Sequence, residues 1–222
     1  MSFIERAITD SLPVWNCCIK TPFVQGLLRG DLPQAAFRRY MIQDSIYLKH
    51  YARTFGKAIY HARTLREIQV YYDMLNFVTD RESAVRLSYL ARYGLTDGDV
   101  ERMTPEPAAR RYIRFLSEAA ERGDGGEILT ALLPCMLSYS YIFQIVAADG
   151  RAKTSRYGDF IQDYADPQYA LRCGQWTAFA QERCRPRDAR ERARLLSTFR
   201  KASLLEWGFF RMAGPRAGEP EA

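Results

Sequence analysis

The chain has 222 residues, of which 47% are hydrophobic and 26% are charged, and its formal net charge is +6. That length fits one compact domain, and a chain this apolar can bury a sizeable core, which excludes a disordered protein. The basic residues are interspersed with acids, as in 183–194, and no recognition-helix motif accompanies them. The charge therefore predicts no nucleic-acid partner.

Helical signals follow one another along the chain, and no alternating run of β-branched residues indicates a strand. Ser2 with Glu5, and Thr64 with Glu67, have the capping-box spacing of a helix start. We predict an all-α bundle. Its helices are predicted near 3–18, 22–29, 33–62, 64–93, 105–122, 125–148, 155–164, 167–183 and 187–213, in one domain over 1–213 followed by a flexible tail over 214–222.

The cysteines and the apolar stretches indicate the compartment. Five cysteines, including the adjacent Cys17 and Cys18, form neither an even disulfide set nor a C-x-x-C spacing, and the charged N-terminus does not resemble a secretory signal. We therefore expect a cytoplasmic protein. The uncharged run 128–148 is long enough to cross a bilayer, but Pro134 and Gln144 within it favour a buried central helix, so no membrane partner is expected.

Two predicted helices each place one acid in an apolar seam. The first seam consists of Phe37, Met41, Asp44, Leu48, Tyr51 and Phe55, and the second of Leu195, Phe199, Ala202, Glu206, Phe209 and Ala213. Burying an unpaired, ionised carboxyl group costs several kcal/mol or raises its pKa, so packing alone would choose neither acid. A functional site is one interpretation. An ion pair with an arginine, or an acid turned toward solvent, is the other.

The uncharged helix carries a third seam with a thiol in it. This seam consists of Ile128, Leu132, Cys135, Tyr139, Ile142 and Val146. Pro134 removes a backbone hydrogen bond beside Cys135, so we expect the helix to open or bend there. Cys135 is thus a candidate nucleophile, and an inert core cysteine is the alternative.

Aromatic side chains accompany the two acids. Tyr47 lies three residues after Asp44 and Phe209 three after Glu206, while Tyr112 and Tyr164 lie on two further helices. Rings and phenols beside carboxylates suit a flat, polar or cationic heterocycle, which stacks on a ring while its nitrogens hydrogen-bond to the acids. An ordinary aromatic core is the alternative.

Four ordered segments resemble those of the thiaminase II (TenA) family, of its cysteine-containing type: PFVQGLLRGDLPQAAFRRYMIQDSIYLKHYA, PCMLSYSYI, YGDFIQDYA and LLEWGFFRMA. The resemblance implies a helical bundle similar to haem oxygenase but without haem, a homotetramer, and no cofactor or metal. It also implies a hydrolase of thiamin salvage. Such an enzyme would release ammonia from 4-amino-5-aminomethyl-2-methylpyrimidine to give the hydroxymethylpyrimidine, and would cleave thiamin more slowly.

The same resemblance implies roles for individual residues. Cys135 matches the nucleophile, Glu206 the acid/base and Asp44 the carboxylate that binds the aminopyrimidine. The tyrosines that match the pocket lining are Tyr47, Tyr112, Tyr139 and Tyr164. The positions that depart from the family pattern, and leave substrate scope open, are Ser45, Leu137, Tyr141 and Phe160.

Two other functions remain as alternatives. A haem or di-iron helical protein would suit the fold class, but the chain has only two histidines, His50 and His61, and neither belongs to an E-x-x-H pair. A DNA-binding transcriptional regulator would suit the positive charge, although no basic stripe supports it.

Overall fold

The computed structural model describes residues 2–122, 125–185 and 188–219, with the backbone alone for 80–84. Across these residues the chain forms α-helices and no strand, which confirms the predicted all-α class. The helices are α1 (Phe3–Ile19), α2 (Pro22–Arg29), α3 (Gln34–Tyr60), α4 (Leu65–Asn76), α5 (Ser83–Arg92), α6 (Asp97–Glu101), α7 (Pro107–Glu121), α8 (Gly125–Ala147), α9 (Gly158–Ala165), α10 (Pro167–Arg183) and α11 (Ala189–Met212).

The largest departure from the predicted helices lies within 64–93. The structure divides this segment into α4, a π-helical turn at Phe77–Glu82, and α5. A π turn continues the helix with more residues per turn, so hydrophobic periodicity alone does not reveal it. The predicted elements also omit the short helix α6, and the helix predicted at 155–164 begins only at Gly158, after a 3-10 turn at Gly150–Lys153.

Side chains cap the helix starts that the sequence indicates. Ser2 and Glu5 form the predicted capping box of α1. At α4, the hydroxyl of Thr64 accepts the backbone N–H of Glu67 at 3.1 Å, as predicted. The Glu67 carboxylate reaches the backbone N–H of Arg63 instead of closing the box on Thr64.

Helix α8 forms the centre of the bundle and packs against α11, α9, α10, α7, α1 and α3. Among the described helices it is the one whose length and apolar composition would allow it to cross a membrane, yet 78% of its most apolar stretch is buried inside the molecule, as in the core helix of a soluble bundle. Glu127 in its first turn is 2% exposed and pairs with Arg122 at 3.2 Å and with Arg194. These ion pairs attach the start of α8 to the end of α7 and to α11.

The chain after α11 contacts the starts of two helices. Arg39 on α3 donates to the Gly214 carbonyl at 2.6 Å and pairs with Glu219. Arg216 pairs with Glu106, which precedes α7, at 2.5 Å. Contacts thus hold 214–219 in the structure; flexibility of 214–222, whose last three residues lie outside the described ranges, stays a prediction.

Candidate active site

The three seams meet, and they bring the two acids and the thiol together. Asp44 comes from α3, Cys135 from α8 and Glu206 from α11. The Cys135 thiol is hydrogen-bonded to the Glu206 carboxylate, and the charge of Asp44 acts on the same carboxylate. Asp44 is 8% exposed and Glu206 2%, so neither acid is turned toward solvent. The packing of three distant helices therefore creates one buried polar group.

Glu206 is the residue of this group that both a phenol and the thiol contact. The phenol of Tyr112 on α7 donates to its Oε1 at 2.6 Å. Burial raises the pKa of Glu206 to about 8, although hydrogen bonds from Tyr112 and Cys135 lower it, and the Asp44 charge raises it further. At neutral pH the carboxyl group of Glu206 therefore mostly holds a proton, and its ordinary reference value would be 4.5.

Asp44 differs from Glu206 in having a cation nearby. Burial raises the pKa of Asp44 to about 7, and the positive charge of Arg86 on α5 opposes that rise. The two acids therefore occupy different electrostatic surroundings. Buried acids whose pKa values are raised toward or above neutral pH are typical of sites that move protons.

Aromatic rings surround the acids and the thiol, as the sequence predicts. The ring centroids of Tyr47 and Tyr112 are 4.7 Å apart, those of Tyr47 and Phe209 5.7 Å, and those of Tyr139 and Tyr164 4.8 Å. All five are buried. Burial raises the pKa of the Tyr47, Tyr112 and Tyr139 phenols well above the usual value, so these phenols stay neutral hydrogen-bonding groups.

The environment of Cys135 sets it apart from an inert core cysteine. Helix α8 continues without a break through Pro134, so the proline does not interrupt it. Cys135 is nevertheless partly exposed, whereas Pro134 and Met136 on either side are buried. The thiol therefore joins the buried carboxyl group to a less enclosed part of the site.

Sequence reasoning assigns no role at the site to three residues of this region. The phenol of Tyr40 hydrogen-bonds to that of Tyr139 at 2.8 Å, and its position four residues before Asp44 was the available signal. The Tyr51 hydroxyl donates to the Leu132 carbonyl at 2.8 Å and so fixes α3 against α8. Arg86 gives no signal, because it follows the π-helical turn that ends the regular periodicity of α4.

A cavity of about 230 Å³ lies beside this group, on the side of α3 next to Asp44. It is lined by Ser45, Lys49, Arg86 and Asp97 among others, and its lining does not include Asp44, Cys135 or Glu206. In the described part of the chain, no three His, Cys, Asp or Glu side chains gather as metal ligands.

Comparison with known proteins relates the chain to one family and to proteins named aminopyrimidine aminohydrolase. The sequence profile of the TENA/THI-4/PQQC family matches residues 9–214. A protein named aminopyrimidine aminohydrolase from Halalkalibacterium halodurans is 27% identical over 214 residues, covering 96% of each chain. A second protein of that name, from Helicobacter pylori, is 25% identical and covers 79% of this chain and 81% of its own length.

Solved structures agree with this relationship. A TenA family transcription regulator from Silicibacter sp. TM1040 has a TM-score of 0.86 with 26% identity, and covers 95% of this chain and 96% of its own. A domain with a heme oxygenase-like fold from Shewanella denitrificans, at 15% identity, has a TM-score of 0.72 and covers 94% and 90% of the two chains. The second likeness shows the fold alone, and confirms the predicted bundle resembling haem oxygenase. With the family profile matched along nearly its whole length, the chain belongs to the TENA/THI-4/PQQC family.

Proposed function

We propose that this protein is an aminopyrimidine aminohydrolase (thiaminase II) of thiamin salvage, with Cys135 as its nucleophile. Its substrate would be 4-amino-5-aminomethyl-2-methylpyrimidine, with thiamin as a slower second substrate. One observation carries the proposal: a thiol, hydrogen-bonded to the buried Glu206, lies among aromatic rings and beside a second buried acid. Relatives named aminopyrimidine aminohydrolase support the substrate class.

The hydrogen bond between Cys135 and Glu206 suits proton transfer. Burial raises the pKa of Glu206 from 4.5 to about 8. The Glu206 carboxylate is therefore a stronger base than an ordinary one, so it can accept the thiol proton more readily and return it later in the cycle. Glu206 therefore serves as the base that forms the thiolate.

The reaction then proceeds in two halves. The Cys135 thiolate adds to the electron-poor ring, the C–N bond at the exocyclic methylene breaks, and the proton held by Glu206 passes to the departing amine, which leaves as ammonia. Water next attacks the methylene carbon and gives a proton to Glu206, while the C–S bond breaks. The thiolate recovers its proton from Glu206, and the products are ammonia and the hydroxymethylpyrimidine.

Asp44 and the aromatic residues would hold the substrate for this chemistry. The amino group and the neighbouring ring nitrogen of an aminopyrimidine form a flat hydrogen-bonding edge that matches one carboxyl group. The rings of Tyr47, Tyr139 and Phe209 offer faces against which a flat heterocycle can stack.

The direct test is release of ammonia from the aminomethylpyrimidine, with its formylated precursor and thiamin assayed beside it. We expect turnover of the aminomethylpyrimidine by the purified protein and its loss in Cys135→Ser, while helicity and pyrimidine binding persist. Cys17→Ser provides the matched control, because Cys17 is exposed and remote in sequence from the α8 seam. It should leave turnover unchanged.

Two results would contradict the proposal. Full activity in Cys135→Ser would remove the thiol from the mechanism. Absence of both binding and turnover for every aminopyrimidine tested, in a protein that is folded, would remove the substrate class.

We also propose that the protein is a cytoplasmic homotetramer. All five cysteines are free thiols, which suits a reducing compartment. Near the end of α3 and along α4, Tyr60 is 79% exposed, Leu65 77% and Tyr72 57%. Large apolar side chains grouped in this way are typical of contact surfaces between subunits.

A further inference from the structure

Arg86 on α5 lies against the helix that carries Asp44 and contacts the residue next to it. Its Nη1 donates to the Ser45 hydroxyl at 2.9 Å, and Ser45 in turn donates to the Met41 carbonyl at 2.7 Å. The arginine side chain is 13% exposed, and its Nε is buried without a hydrogen-bond partner among the described residues. A guanidinium this well enclosed keeps much of its electrostatic effect, because water screens it weakly.

The charges that face Asp44 come from three elements. Arg86 from α5 is the cation that stabilises its carboxylate. The negative charge of Asp44 raises the pKa of Glu206 from α11 and of Tyr139 from α8. Arg86 itself is paired at 3.3 Å with Asp97 of α6, but that acid is 62% exposed and weakly competitive. Among these charged groups, Arg86 is the one that favours the ionised form of Asp44, against the effect of burial.

We propose that Arg86 is a positioning residue that favours the ionised form of Asp44 in the substrate complex, so that the proton shared between Asp44 and a bound aminopyrimidine lies on the ring nitrogen. This inference rests on the proposed function, and it assigns Arg86 a part in activating the substrate. A protonated pyrimidine ring is poorer in electrons than a neutral one. The Cys135 thiolate therefore adds to it more readily.

The proton for this step is already available at the site. With the pKa of Asp44 raised to about 7, a large fraction of the free protein carries a proton there at neutral pH. An aminopyrimidine is a weak base at the ring nitrogen beside its amino group. When it binds, the proton moves from Asp44 to that nitrogen and leaves an aminopyrimidinium facing a carboxylate, the charge pair that Arg86 favours. Without Arg86 the proton would stay on Asp44 and the ring would stay neutral.

The ultraviolet spectrum of a bound pyrimidine tests this directly, since protonated and neutral aminopyrimidines absorb differently. The probe is the reaction product, 4-amino-5-hydroxymethyl-2-methylpyrimidine, bound to the whole protein at pH 7.5. We expect the spectrum of the protonated ring in the wild type and of the neutral ring in Arg86→Gln. Arg86→Lys, which keeps the charge, should restore the protonated spectrum.

Kinetics on the aminomethylpyrimidine give a second measurement. A difference of one pKa unit corresponds to a factor of about ten in the share of protonated ring. We therefore expect Arg86→Gln to lower kcat about tenfold or more with little change in KM, because binding survives while activation is lost. The matched control is Arg92→Gln on the same helix, whose guanidinium lies over the Tyr89 ring at 4.8 Å. It should change neither kcat nor the spectrum.

The ionisation of Asp44 in the ligand-free protein can be followed by NMR of its carboxyl carbon as the pH is varied. This measurement tests the role of Arg86 independently of the proposed function. In Arg86→Gln the Asp44 midpoint should rise by about one pH unit. A neutral ring in the wild-type complex would overturn the proposal, even if Arg86→Gln fails to fold. An unchanged spectrum together with an unchanged Asp44 midpoint in folded Arg86→Gln would also overturn it. Failure of the product to bind at all would count against the proposed function, while the NMR midpoint would still decide the role of Arg86.

Discussion

At the scale of single residues, the two buried acids lower the stability of the fold but supply groups that the proposed reaction needs. Asp44 and Glu206 lie where apolar side chains would pack better, and burial raises the pKa of Asp44 to about 7 and that of Glu206 to about 8. The same burial makes the Glu206 carboxylate a stronger base, which suits proton transfer from Cys135. The acids should therefore reduce stability in the pH range where they serve the reaction.

The pH dependence of stability tests this trade-off. The pKa values of Asp44 and Glu206 are raised in the folded protein to about 7 and about 8, from ordinary values of 3.8 and 4.5. Between these limits the folded state holds protons that the unfolded chain has released, so the free energy of unfolding should fall as pH rises from about 4 to about 8.

Replacing each acid with its amide should reduce this decrease in the free energy of unfolding with pH. At pH 9 we expect Asp44→Asn and Glu206→Gln each to unfold at a higher urea concentration than the wild type. The free energy of unfolding of each variant should be higher by on the order of 2 kcal/mol. Urea titrations at pH 5 and pH 9 measure the effect. Asp149→Asn is the control, because that exposed acid has its pKa lowered to about 2 by Arg151. Equal pH dependence in the wild type and both amide variants would refute the burial argument.

The Tyr112 phenol should lower the pKa of Glu206, the proposed base. Its hydrogen bond to Glu206 favours the carboxylate, so Tyr112→Phe should raise the pKa of Glu206 and move the rising limb of the kcat/KM profile to higher pH. Losing a hydrogen bond to a charged group costs about 1.5–3 kcal/mol, which corresponds to about a ten- to hundredfold loss of kcat/KM at neutral pH. Tyr51→Phe also removes a buried hydroxyl but does not contact Glu206, and it should keep the wild-type pH profile. A shift of the same size in both variants would exclude a specific role for Tyr112.

At the scale of elements, the position of α8 decides where the thiol lies. Its first turn is attached to α7 and α11 through the buried Glu127, whose two arginine partners are about half exposed. The carboxylate depends on these cations, because a buried ionised acid without partners is strongly destabilising. Ion pairs at one end of the helix thus help to hold Cys135 near Glu206, two turns further along α8.

Removal of both cations tests this attachment. We expect Arg122→Ala with Arg194→Ala to lower the free energy of unfolding by about 3–5 kcal/mol, measured by urea denaturation. Adding Glu127→Gln to the double variant should restore part of the loss, because the uncompensated charge is gone. If the double variant is as stable as the wild type, the pairs do not hold the start of α8.

At the scale of the whole molecule, the proposed tetramer should depend on the apolar surface of α3 and α4. Light scattering during gel filtration should give about four times the 25.6 kDa chain mass. Leu65→Glu with Tyr72→Glu places two charges on side chains that are 77% and 57% exposed, and should reduce that mass. Leu204→Glu, at a leucine of α11 that is 42% exposed, is the control. An undiminished mass in the double variant would place the subunit contacts elsewhere.

The sequence by itself determined the fold class, most helices and the two acid-bearing seams. Helical periodicity is a local property, so it assigns Asp44 and Glu206 to apolar faces without knowledge of the partners of those faces. It also indicated Cys135 and the surrounding tyrosines. It missed the π-helical turn at Phe77–Glu82, because that turn changes the repeat on which the reasoning depends.

Only the tertiary structure decided which groups meet. The hydrogen bonds that join Cys135 and Tyr112 to Glu206 link residues 71 or more positions apart, and the charge of Arg86 reaches Asp44 across two helices. Distances between such side chains depend on how the helices pack, which local periodicity does not contain. The raised pKa values of the two acids follow from the same cause, since burial from all sides is a property of the assembled bundle.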